Sequence, residues 1–202
     1  MMWRRLVSLV IMIGLVGVPG YAASAPAVKP EDVADRVLNA LAAADLGTSR
    51  AVLEKYVFPD LGDKLPSVVY SWRTMGQEAY TDGGIPVFRR FVDAVVESKA
   101  GTHLSTQLVV IMYIDRRVNM WRTLEIATKE TYNDEKEQAA GTADNRYLSP
   151  SVKIVWRAAG NLRTGSPASA LSFMKQVDPS SLPSTWQEWL ATGLEAIYGI
   201  RQ

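Results

Sequence analysis

The chain contains one histidine, His103, and no cysteine, which closes most routes to chemistry. A serine triad would need His103 as its base, and metal centres built on two or three histidines cannot form from one chain. Thiol catalysis and thiolate metal sites are excluded outright. His103 follows Gly101-Thr102 at the start of an apolar stretch, where a surface or capping role is expected because neither a nucleophile nor an orienting partner can be named for it. There is no Gly-x-Ser-x-Gly elbow, dinucleotide glycine fingerprint, phosphate loop or calcium loop, so no cofactor and no metal are implied. Carboxylates remain the one group able to run hydrolysis alone, as an acid and base about 5 to 9 Å apart on a glycoside. Asp115, Glu125 and Glu130 are the candidates, but Glu125 lies close in sequence to Arg122 and reads more simply as a solvated or ion-paired strand residue. No catalytic residue is assigned, and the balance leans against an enzyme.

Arginine follows tryptophan at Ser71-Trp72-Arg73, Met120-Trp121-Arg122 and Val155-Trp156-Arg157, at unequal spacing and therefore not as a structural repeat. On strands the two side chains of each pair point to opposite faces. The functional reading is a surface of Arg73, Arg122 and Arg157 that takes anionic or sugar-like groups. The structural reading is three core tryptophans with solvated neighbours, and it is the simpler one. Near the end of the chain Trp186 and Trp189 share a helical stripe with Leu190 and Leu194. That stripe either docks on a partner or closes a hydrophobic pocket, or else caps the core.

The elements that must position these residues centre on Leu104 to Thr128. Leu104, Leu108, Val110, Met112 and Ile114 fall on one face, and Val109, Ile111 and Tyr113 on the other, so the spacing predicts a strand buried on both sides. Asp115-Arg116-Arg117 then connects to a second strand carrying Val118, Met120, Leu124 and Ile126, a face interrupted by Arg122. Before this pair, Pro30 with Glu31 and Asp32 opens a helix bearing Val33, Val37, Leu38 and Leu41 and stopped by Gly47. Thr48 and Ser49 cap a second helix that ends near Phe58-Pro59. Residues 67–80 fit either state and lean to helix, and Pro86 to Ser98 reads as an amphipathic helix with Val87, Phe88, Phe91, Val92, Val95 and Val96 as its stripe.

Beyond the strand pair, Asn133 to Arg146 reads as an exposed loop or β-turn extension. Val152, Ile154 and Trp156 alternate as a third strand, turned by Gly160-Asn161. Ser166-Pro167 opens a helix with Leu171, Met174 and Val177, and a last helix follows Pro183.

At the N-terminus, Arg4 and Arg5, the uncharged run Leu6 to Val18 and a Pro19-Gly20 break have the layout of a secretory signal. Cleavage after Ala22 is expected. Retention as an anchor is the alternative, although a run of 13 residues is short for a span. The expected organisation is a signal over 1–22, a tether over 23–30 and one domain over 31–202. Without Arg4 and Arg5, 20 basic residues face 21 acidic ones, a balance that gives nucleic acid no electrostatic claim.

Helices, then adjacent antiparallel strands, then helices predict an α+β fold, with a curved sheet of three or four strands wrapped by helices. In general architecture alone, without a shared motif, this is similar to the nuclear-transport-factor-like and cystatin-like cones. The expected role is a periplasmic or secreted, non-catalytic binding or assembly component of an envelope system. A carrier of an apolar ligand, with Phe88, Phe91, Met112 and Trp189 lining its cavity, and a carboxylate-only glycan hydrolase are the alternatives. The partners implied are an envelope protein or a small apolar ligand, with membrane contact only through an uncleaved signal.

Overall fold

The computed structural model describes residues 25–43, 45–59, 61, 68–98 and 100–201; the expected signal over 1–22 lies outside them. Four antiparallel strands form one sheet in the order β1-β2-β3-β4: β1 (Val69–Asp82), β2 (Ile85–Glu97), β3 (His103–Asp115) and β4 (Met120–Thr128). The sheet curves without closing into a barrel. Helices α1 (Pro30–Ala42) and α2 (Leu46–Tyr56) pack on one face. On the other lie α3 (Lys129–Ala140), α4 (Pro150–Arg163), α5 (Pro167–Met174) and α6 (Ser184–Gly193), the last continuing into a π turn at Leu194–Tyr198. The chain is thus the α+β fold with a curved sheet that its element order implies. No helix among the described residues is long and apolar enough to cross a membrane.

The inner half of β3 is the centre of this sandwich. Leu108, Val110 and Met112 pack with Phe88, Val92, Val37 and Leu38 toward α1, while Val109, Ile111 and Tyr113 pack with Val87, Leu124, Val155 and Leu162 toward α4. Each fully buried aliphatic or aromatic side chain here contributes about 1.5–3 kcal/mol of transfer free energy. Leu104, at the outer end of the strand, is 49% exposed, so helices cover only part of the sheet.

Four elements differ from the sequence expectation. Residues 69–82 form strand β1, and residues 85–97 form strand β2 where an amphipathic helix was expected. In β2 the doublets Val87-Phe88, Phe91-Val92 and Val95-Val96 recur every four residues and imitate a helical stripe. The strand instead lies between two helical layers, so both faces hold apolar residues and the alternation disappears. The expected loop at 133–146 is largely α3, where the Thr128 hydroxyl caps Thr131 N–H and Gly141, at φ 79°, ends the helix in the left-handed region.

The expected third strand is α4, which buries Val152, Val155, Ala159 and Leu162. Gly160 sits inside this helix and not at a turn. A Cβ there would stand 2.9 Å from Ala139 N, so glycine lets α4 lie directly on α3, and Asn161 Nδ2 donates to Ala139 O across the same contact at 3.3 Å. A smaller difference is that Asp45, not Thr48 or Ser49, caps α2, accepting from Gly47 N and Thr48 Oγ1.

Four tyrosines fasten the corner between α4 and α5. Tyr80 in β1 donates to Gly165 O at 2.7 Å, Tyr113 in β3 to Leu162 O at 2.6 Å, Tyr132 in α3 to Thr164 O at 3.4 Å and Tyr198 to Pro167 O at 2.7 Å. The carbonyls of Leu162, Thr164, Gly165 and Pro167, at the end of α4 and the start of α5, are thereby tied to β1, β3, α3 and the π turn.

Candidate functional site: a groove between the sheet and α3

The side of the sheet that faces α3 to α6 is only partly covered. Register places Arg73, Asp93 and Gln107 abreast across β1, β2 and β3, with Gly76, Phe91 and Val109 abreast one step further in. Where α3 approaches, a cleft of about 410 Å³ opens, with Met75, Gly76, Phe91 and Val109 on the sheet side and Lys129, Tyr132, Asn133 and Lys136 on the helix side. Those four helix residues recur at intervals of three and four, so they share one flank of α3. Tyr132 also belongs to the buried side of the helix, with Glu135 and Gln138. Outward, through Asp93 and Gln107, the cleft runs into an open trough of about 590 Å³ that includes Ser71, Arg73 and Ser105.

The inner wall is held rigidly. Arg89 donates to Glu78 through Nε at 3.1 Å and to the Tyr132 hydroxyl through Nη1 at 2.9 Å, and its guanidinium lies 5.5 Å from the centre of the Phe91 ring. On the floor, Asp93 is ion-paired with Arg73 at 3.0 Å and accepts from Gln107 at 3.4 Å. Lys129 and Lys136 are exposed and pair with no carboxylate among the described residues; the Lys136 ammonium lies 4.6 Å from the centre of the Tyr132 ring. The groove thus has an apolar floor, two cations on one edge and a polar mouth.

The three arginines that follow tryptophans are not brought together. Arg73 stands at the groove mouth, while the Trp72 indole, on the opposite face, donates to Asn39 Oδ1 at 3.2 Å. Arg122 lies at the β3–β4 turn, bonded to Asp115 at 3.1 Å and to Lys55 O at 3.0 Å. Arg157 caps α3 through Ala140 O at 3.0 Å and lies 4.5 Å from the Phe173 ring centre. Trp186 and Trp189 meet edge to face at 5.9 Å, half-buried against the core. Phe88 and Met112 belong to the core against α1 and Trp189 to the core against α4, so Phe91 alone of the expected cavity residues lines the groove.

The carboxylates are committed elsewhere. Asp115 is fully buried and accepts from Arg117 N, Nε and Nη2 at 2.9–3.0 Å as well as from Arg122. Glu125, 2% exposed, lies 3.8 Å from the Arg163 guanidinium, and Glu130 is exposed in the first turn of α3. His103, at the outer end of β3, packs on Tyr70 with ring centres 4.0 Å apart. No group of three or more acidic or histidine side chains among the described residues is placed to hold a metal.

A second cleft, of about 760 Å³, lies at the opposite end of the sheet among Pro26, Val28, Ile85, Ile114, Trp121 and Ile197. Sequence reasoning missed the groove's helical wall because residues 133–146 lack an apolar stripe. Thr128, three residues before Thr131, and Gly141 were the available signals for that helix. In comparison with known proteins, no family model, no curated protein and no solved structure matches this chain.

Proposed function

We propose that the chain is a non-catalytic binding component of an exported, envelope-located system, and that it holds a small ligand with an apolar body in the groove between the sheet and α3. The observation that carries this reading is the cleft of about 410 Å³, floored by Phe91 and Val109 and edged by lysines, within the range of small-molecule sites. Export is supported by the N-terminal layout of Arg4, Arg5 and the uncharged run Leu6 to Val18. The absence of catalysis is supported by chemistry. Asp115 is enclosed by arginines, and the one carboxylate lining the groove, Asp93, is ion-paired to Arg73, which leaves the groove no acid and base to share a proton.

Gly76 supplies the test. A Cβ built there meets nothing nearer than Phe91 at 4.0 Å, so Gly76→Leu fills the groove from the edge strand without disturbing the core. Native mass spectrometry of the protein purified from its own cells is expected to show a bound small molecule in the wild type and the bare polypeptide in Gly76→Leu, with equal melting temperatures. A bare wild type, or turnover of glycans, peptides or esters by the purified protein, would overturn the reading.

A further inference from the structure

The groove's dimensions and charge narrow the class of ligand, on the reading that the groove is the binding site. The charged side chains lining the cleft are Lys129, Lys136 and Asp93. Asp93 is ion-paired with Arg73, so the unpaired charges on the lining are the two lysines; Glu130, Asp134 and Glu137 of the same helix are exposed and do not line the cleft. They lie seven residues apart on α3, two turns or roughly 10 Å along the axis, and both flank the opening while Phe91 and Val109 form the floor. This positive edge stands on a chain that is nearly neutral once Arg4 and Arg5 are set aside. Cationic edge and apolar floor together match a molecule that is anionic at one end and apolar at the other. A cleft of about 410 Å³ that opens into a trough of about 590 Å³ has room for an acyl chain with its head group.

We propose that the groove takes a single-chain anionic amphiphile, with the carboxylate or an equivalent head between Lys129 and Lys136 and the tail over Phe91 and Val109. Calorimetric titration of the full chain with dodecanoate, below its micellar concentration, tests this against dodecyltrimethylammonium, which carries the same tail and the opposite charge. Dodecanoate is expected to bind at 1:1 and the cation at least about tenfold more weakly, a difference of ~1.4 kcal/mol. Lys129→Glu/Lys136→Glu is expected to reverse the order without changing the melting temperature. Equal binding of both amphiphiles, unmoved by the double substitution, would overturn the assignment of charge while leaving the groove as a site. Binding of neither amphiphile would overturn this inference, and the Gly76→Leu comparison by mass spectrometry then decides separately whether the groove holds any ligand.

Discussion

Single residues divide into those that hold the fold and those that line the groove, and Asp115 separates the two roles. It is a charge with no exposed surface, held only because Arg117 and Arg122 satisfy both of its oxygens. Asp115→Ala leaves the Arg117 and Arg122 guanidinium groups without their buried counter-ion, and the expected cost is about 3–5 kcal/mol, read as a lower urea midpoint. Ligand affinity is expected to be unchanged, because the turn lies outside the groove. A strong effect on binding with normal stability would instead place Asp115 in a functional site. In the sequence this aspartate was legible as part of a tight turn, whereas its burial between Arg117 and Arg122 depends on the β3–β4 register that no local pattern encodes. His103 was legible in part: its place at the start of a strand follows from Gly101-Thr102, but its packing on Tyr70 requires β1 to lie beside β2 and β2 beside β3.

Among the elements, the corner between α4 and α5 is tied to the sheet by phenols, and this gives it a distinct pH response. Burial pushes the Tyr113 hydroxyl well above its ordinary range, with smaller contributions from nearby phenols and Asp82, and burial likewise raises Tyr198 and Tyr80. The folded state therefore keeps these protons while an unfolded tyrosine loses its own near pH 10. Their contribution to stability is complete below about pH 10 and declines as the pH rises through the folded-state values. Denaturation series are expected to show stability falling between about pH 9.5 and 11. A Tyr113→Phe/Tyr198→Phe variant is expected to be less stable at pH 8 but flatter across that interval. An equally steep decline in the variant would contradict this account.

Element type was legible where one face alone is buried or where a proline stands at the start of the helix, as in α1 behind Pro30 and the helices behind Ser166-Pro167 and Pro183. It was illegible in β2, because burial on both faces turns alternation into doublets, and in α4, where Gly160 is required by the close contact with α3 and looked like a turn. The wall of the groove was hidden for the same reason: α3 is recognised by its caps and its contact with α4, not by an apolar stripe.

For the whole molecule, the strand pair β3–β4 and the helices-strands-helices order were enough to define an α+β fold with a curved sheet, because a strand buried on both faces requires a layer on each side. The location of the groove was not deducible, since it depends on how far the helices extend over the sheet. Among the clefts of the described residues are one of about 410 Å³ beside α3 and one of about 760 Å³ near Trp121 and Ile197; the second also carries cations, Lys29 and Arg116, and the first is set apart by two lysines on one flank of a single helix above Phe91 and Val109. The central claim is that the first is where the ligand sits. Amide and side-chain NMR shifts of the full chain titrated with dodecanoate test it most directly. The account predicts saturable changes at Gly76, Phe91, Val109, Lys129 and Tyr132 with Trp121 and Ile197 unmoved; changes centred on Trp121 and Ile197 would contradict it.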